Sequence, residues 1–336
     1  MNKNACEGFD APIPPSGYSW WYFDALSDDG QRAFTAILFV GSVFSPAYAA
    51  RVRRGETARP EEHVAVNLAL YEGGRKIAWV MSEYGEHELK RVDPEGPTIA
   101  STHVERLPSG RLRLHLIDRS APFLLSLIKV GRPIVGTIDL EPLGPTLGPF
   151  ELSSSSGQRH RWRVPMPRAR VKVHFTKPAF RFEGTGYHDL NRGDGRLEAA
   201  FSRWSWARFH VGDRTLVLYA LKELGGESQA LLVDSRCDDV LPDDASLLVA
   251  ATEGPPRKAG WGLVLPSWFE VDRGGAPLRA EPTQLLESAP FYARYVATLS
   301  DGKNTLATGL GEYLDLDRFR SPGIQFLLRF KTRRES

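Results

Sequence analysis

Between residues 160 and 206 the chain gathers side chains able to do acid–base work beside aromatic rings: His160, Trp162, Tyr187, His188, Asp189, Asn191, Trp204 and Trp206. In an extended strand residues two apart project to one side, so His160 pairs with Trp162 and Tyr187 with Asp189, and both pairs can enter one cavity. Aromatic walls lower the local dielectric and penalise a carboxylate, so an aspartic acid among them is expected to keep its proton and serve as a donor. The same residues have a plainer interpretation. Asp189 in GYHDLNRGDG suits a turn that caps its own backbone, the tryptophans suit packing, and His160 between Arg159 and Arg161 suits a solvated edge. Composition leaves both open. Asp24 in WWYFD is a second carboxyl candidate, and reads as a strand-end surface residue more readily than as part of a site.

Several chemistries are excluded by spacing. His160, His174 and His188 lack HExxH spacing or a cysteine partner, so no metal site is expected. GTGYHD and GLGEY are not dinucleotide fingerprints, and neither a P-loop nor a GxSxG elbow occurs. Cys6 and Cys237 are the only cysteines, too few for a disulfide framework, which points to a reducing compartment.

The elements that must position these groups are strands. Val64, Val66, Leu68 and Leu70 alternate with His63, Ala65, Asn67 and Ala69, and Leu112, Leu114 and Leu116 alternate with Arg111, Arg113 and His115. Further strands are expected at Lys76–Glu83, Arg170–Phe175, Arg214–Lys222, Gln229–Asp234, Ser246–Thr252, Tyr292–Leu299, Thr305–Tyr313 and Gln325–Phe330. Many short strands, tight turns and almost no helical periodicity predict an all-β, mostly antiparallel sandwich or barrel. An internal echo suggests two similar halves: SWWYFDALSDDGQRAFTAILFV from Ser19 and SRWSWARFHVGDRTLVLYAL from Ser202 both read as aromatic strand, polar turn and apolar strand, making Trp21 and Trp206 equivalent. The join is expected in the glycine-rich stretch Gly184–Gly195, giving domains 12–190 and 191–336.

With 336 residues and ordinary apolar and charged content, the chain can bury a substantial core. A net charge of +2 without runs of like charge gives no field to recruit a polyanion, so nucleic acid is not an expected partner. MNKNACEGFDAPIPP has no apolar signal core, which favours a cytoplasmic location. The uncharged run Ala33–Ala50 is interrupted by Gly41, Ser42, Ser45 and Pro46, and fits a buried strand leading into a loop better than a membrane span.

YSWWYFDALSDDG from Tyr18, ILFVGSVFSPAYAAR from Ile37, RPEEHVAVNLALYEGG from Arg59, GYHDLNRGD from Gly186 and WSWARF from Trp204 resemble the carotenoid 1,2-hydratase (hydroxyneurosporene synthase) family, over most of the chain from Tyr18 to Tyr313. That family belongs to a lipocalin-like superfamily with fungal pericyclase-type enzymes. The resemblance implies two lipocalin-like β-barrel or sandwich domains around a lipophilic pocket. The implied reaction is the addition of water to the terminal double bond of an acyclic carotenoid or related isoprenoid, without a cofactor. It assigns His160, Trp162, Tyr187 and Asp189 the catalytic positions, with Asp189 as proton donor to the alkene and water capturing the tertiary carbocation. Trp21, Trp204, Trp206, His188 and Asn191 are then expected against the substrate, and transient association with a membrane surface follows from the substrate's lipophilicity. Two positions depart from the family's usual GYHDHNWG: Leu190 stands for the second His and Arg192 for the Trp, altering polarity beside the proposed acid. If an internal double bond captures the cation instead of water, the same pocket is a terpenoid or polyene cyclase; a non-catalytic lipocalin-like binder is the third alternative.

Overall fold

The computed structural model describes residues 12–93, 95–120, 131–226, 228–237, 246–248, 251–272, 277–328 and 333–334, and is nearly all β. Two compact units divide the chain. The first is drawn from Met1–Ser153, Gln158–Arg196 and Gln325–Ser336, the second from Ser154–Gly157 and Leu197–Ile324. The crossing at Arg196/Leu197 leaves Asp189 and Asn191 together on one strand of the first unit.

In the first unit the chain runs β1 (Tyr18–Ser27), β2 (Arg32–Val40), α1 (Pro46–Arg53), β3 (Val64–Glu72), β4 (Arg75–Tyr84), β5 (Leu89–Asp93), β6 (Gly96–Ile99), β7 (His103–Arg106), β8 (Leu112–Arg119), β9 (Pro133–Pro142), β10 (Leu147–Ser153), β11 (Arg159–Lys177) and β12 (Phe180–Gly193). The second unit adds α2 (Leu197–Ala200), β13 (Phe201–Val211), β14 (Arg214–Glu223), β15 (Ser228–Arg236), β16 (Ser246–Leu248), β17 (Ala251–Glu253), β18 (Pro256–Lys258), β19 (Val264–Pro266), β20 (Phe269–Asp272), β21 (Pro277–Ser288), β22 (Tyr292–Ser300), β23 (Thr305–Asp315) and α3 (Leu316–Phe319). α4 (Pro322–Leu328) leads back to the first unit, where β24 (Arg333–Arg334) lies parallel to β4.

Among the described residues, eleven strands form the first unit's sheet in the order β24-β4-β3-β2-β1-β12-β11-β9-β8-β7, with β10 also on β11. Nine form the second unit's sheet, β16-β15-β14-β13-β23-β22-β21-β20-β17. The expected strand at Ser246–Thr252 falls on β16 and β17, with residues 249–250 outside the described set. Of the strand expected at Gln325–Phe330, residues 325–328 are helical instead, within α4, which starts at Pro322, whose missing N–H costs nothing in a first helical turn; residues 329–330 lie outside the described set. The run Ala33–Ala50 is most of β2, a loop and the start of α1, whose Ser45 side chain caps the Tyr48 N–H. Among the described residues no helix is long and apolar enough to cross a membrane. Cys237 is a half-buried free thiol, and Cys6 lies outside the described residues.

Burial explains the two kinds of strand sequence. The distal parts of β11 and β12 alternate strictly, Val171, Val173 and Phe175 buried against exposed Lys172, His174 and Thr176, so one face meets water. β1, β2 and β3 are buried on both faces and read as nearly unbroken apolar and aromatic runs. One face holds the apolar core, with Trp21, Phe23, Ala36, Leu38, Val66, Leu68, Val171 and Leu190. The other carries Tyr18, Trp20, Tyr22 and Asp24 from β1 and their cross-strand neighbours, and it holds the chemistry.

Candidate active site

Three neighbouring strands build the site. β1 and β12 run antiparallel with Tyr18 opposite Gly193, Trp20 opposite Asn191, Tyr22 opposite Asp189 and Asp24 opposite Tyr187. On the far side of β12, β11 sets His160 opposite Gly193 and Trp162 opposite Asn191. Facing residues of a pair share a sheet face, so these side chains rise together on the face away from the apolar core. β11 reaches this register through two irregularities around Met166, where Pro165 and Pro167 cannot donate to a ladder and the strand bulges.

The side chains converge on Asp189, which is 3% exposed. Its Oδ2 accepts from Trp162 Nε1 at 2.9 Å and from the Tyr187 hydroxyl at 2.9 Å, and its Oδ1 accepts from Asn191 Nδ2 at 2.9 Å. The chain of bonds continues outward. Asn191 Oδ1 accepts from His160 Nε2 at 3.1 Å, and His160 Nδ1 accepts from the Tyr18 hydroxyl at 2.7 Å. With its amide nitrogen turned to Asp189, Asn191 offers His160 only a carbonyl, so the imidazole carries its proton on Nε2. Full burial pushes the His160 pKa down to about 4, which keeps that ring neutral. Trp20 stacks on Tyr18 at 5.1 Å and lies 5.7 Å from His160 and 6.3 Å from Phe39, while Phe150 packs 5.2 Å from Trp162.

Comparison with known proteins assigns the family. A family model described as carotenoid hydratase CrtC matches residues 36–336. The acyclic carotenoid 1,2-hydratase of Thiocapsa roseopersicina is 36% identical over 326 residues, covering 96% of this chain and 74% of that protein. The protein of the same name from Rubrivivax gelatinosus is 36% identical over 301 residues, covering 85% of this chain and 66% of its own length. The chain belongs to the carotenoid hydratase family. Hydratases of this family are enzymes of the hydro-lyase class. The fold has its counterpart in the crystal structure of an AttH-type protein from Nitrosomonas europaea, with a TM-score of 0.62 at 15% identity over 92% of this chain and 98% of that one, a likeness of lipocalin-like architecture.

For a carotenoid hydratase the arrangement offers one buried carboxyl surrounded by neutral donors, and aromatic faces beside it. Not every residue expected at the site stands there. His188 projects from the opposite face of β12, stacked on Phe23 at 4.0 Å with Nδ1 donating to the Tyr22 carbonyl at 2.9 Å, and burial lowers its pKa to about 3. Trp21 belongs to the apolar core. Leu190 and Arg192 also project from that side, Leu190 into the core and Arg192 to the Pro12 carbonyl, so the two departures from the family motif do not border Asp189. Trp204 and Trp206 are buried on β13 of the second unit, Trp204 edge-on to Tyr219 at 5.8 Å and Trp206 opposite Glu312. Asn191 joins His160 to Asp189 as a bridge.

Asp24 is the main correction. It is fully buried, not a surface carboxylate, and its Oδ2 accepts from the Tyr22 hydroxyl at 3.1 Å. Sequence spacing left open whether Trp20 lines the pocket or packs and gave no sign of Tyr18 and Tyr22, although their alternation with Trp21 and Phe23 puts all three on one face; only the cross-strand register shows that this face meets Asp189. Among the described residues no group of three or more His, Cys, Asp or Glu side chains could hold a metal ion.

Proposed function

We propose that this chain hydrates the terminal double bond of an acyclic carotenoid or related isoprenoid, with Asp189 as the proton donor. The observation that carries this is the convergence of Trp162, Tyr187 and Asn191 on one buried carboxyl. Those donors stabilise the carboxylate that remains once the proton has gone to carbon, so their effect is largest as the C–H bond forms. Protonation leaves a tertiary cation, which the face of Trp162 stabilises by about 0.5–2 kcal/mol per desolvated contact. His160, through Asn191, holds Asp189 in its reactive rotamer, and water closes the reaction by forming the C–O bond. The names of the relatives supply the substrate class. A hydrocarbon of that kind is drawn from a membrane, and transient contact with a membrane surface belongs to the same reading.

Incubation with lycopene in heavy-oxygen water tests it. A hydratase yields product carrying the label, and Asp189→Asn lowers the rate by roughly 100-fold to 10,000-fold, the usual range for a positioned acid. Product of unchanged mass but new retention identifies a cyclase instead, and unchanged lycopene that co-purifies identifies a carrier.

A further inference from the structure

Hydration needs two proton transfers, one to carbon and one from the captured water, and Asp189 accounts for the first. On the same face of the sheet, one strand over and two residues along, stands a second carboxyl with the same companion: Tyr22 donates to Asp24 within β1 as Tyr187 donates to Asp189 within β12. The antiparallel register sets each tyrosine opposite the other strand's aspartate, and the two rings meet edge-on at 6.3 Å. Diagonal neighbours of this kind lie about 7–8 Å apart. That separation admits a water between an acid and a base. The strand beyond adds an independent sign: Thr35 of β2 faces Asp24 directly, is fully buried, and its hydroxyl has no hydrogen-bond partner among the described residues. A buried hydroxyl without a partner is destabilising, so one at this position calls for a ligand able to donate or accept.

We infer that Asp24 and Thr35 hold the water that captures the carbocation, and that Asp24 accepts its proton. This rests on Asp189 being the donor to the alkene. The Asp189 O–H bond breaks as a C–H bond forms at one carbon of the terminal double bond, leaving the cation on the other. The lone pair of the water then forms the C–O bond, and the resulting oxonium passes a proton to an Asp24 carboxylate oxygen. When product leaves, Asp24 releases that proton and Asp189 regains one from solvent, so the sum is alkene plus water. An oxonium is a very strong acid, so Asp24 needs position rather than unusual basicity.

The two transfers separate in heavy water. If capture is impaired while protonation survives, the cation loses a proton again and deuterium washes into recovered lycopene. Asp24→Asn is expected to lower hydration about 100-fold or more, within the range for a positioned base, with deuterium wash-in at least equal to that of the parent. Thr35→Val should lower hydration about 10-fold with the same wash-in, and Thr35→Ser should restore it. Hydration at the parent's rate in Asp24→Asn overturns the inference. So does loss of hydration and wash-in together in a variant whose circular dichroism and melting match the parent. If Asp24→Asn does not fold, Thr35→Val decides alone, and parent-rate hydration there overturns it. Asp189→Asn is the separate control: wash-in that persists in that variant refutes the donor assignment and not the Asp24 capture step.

Discussion

Every hydrogen bond in the relay from Tyr18 through His160 and Asn191 points its proton toward Asp189. Such a chain polarises in one direction, and it favours the carboxylate more as negative charge develops on it. Tyr18 is its outer end and does not touch Asp189, so it acts by positioning. Tyr18→Phe leaves His160 Nδ1 buried without its donor, a cost of about 1–3 kcal/mol. Steady-state hydration assays should show kcat lowered about 10-fold with KM nearly unchanged, since the loss falls on the transition state. At this scale the sequence was partly legible. The two-residue spacings of His160 with Trp162 and of Tyr187 with Asp189 placed each pair on a face, and the structure brings all four within one hydrogen-bonded cluster. The same spacing cannot choose between the two faces of β1, and it is Trp20 and Asp24, not Trp21, that share a face with Asp189.

Among the elements, the approach of β1 to β12 depends on a residue with no side chain. A Cβ at Gly193 would lie 2.3–2.5 Å from atoms of the Tyr18 ring, including its hydroxyl. The ring lies over Gly193 to reach His160, and nothing larger fits beneath it. Gly193→Ala is therefore expected to displace Tyr18, lower the melting temperature by several degrees, and lower hydration at least as much as Tyr18→Phe. Because both variants break one contact, Gly193→Ala adds little to the rate loss when combined with Tyr18→Phe, and a double-mutant cycle measures that non-additivity. Alternation revealed the strands that meet water on one side. It said less about β11, expected only at Arg170–Phe175: the prolines at 165 and 167 interrupt the pattern, although the backbone continues through them as bulges from Arg159. The apolar run before residue 330 failed for another reason, since a short apolar segment carries no period long enough to tell strand from helix.

At the scale of the whole molecule, each unit has one apolar face and one face with buried polar groups. In the second, a row runs across β13, β23, β22 and β21 as Trp206, Glu312, Arg294 and Glu287, with Arg294 paired to Glu312 at 2.8 Å and to Glu287 at 3.2 Å. β1–β2 and β13–β14 are both antiparallel hairpins, but Trp206 lies off its unit's apolar core whereas Trp21 lies in the core of the first, so by face Trp20 and not Trp21 corresponds to it. Acid should be felt through the two buried histidines. Burial depresses His160 to about 4 and His188 to about 3, against 6.5 for the free side chain. Between those values the unfolded chain binds more protons, so the stability is fully present above pH 6.5 and is lost progressively as the pH falls toward the folded values. Thermal melts should decline steadily from pH 6.5 to pH 4.5; a flat profile across that window contradicts the assignment.

One topological detail sets a schedule for the growing polypeptide. β24 pairs with β4 along the edge of the first unit's sheet, yet residues 197–324 come between. As the ribosome works, the earlier unit emerges before the short strand that pairs with Ser82 and Glu83 of β4, and that strand follows only after all of the later unit has been translated. A sheet edge that gains its last strand late is, until then, open to pairing with another chain.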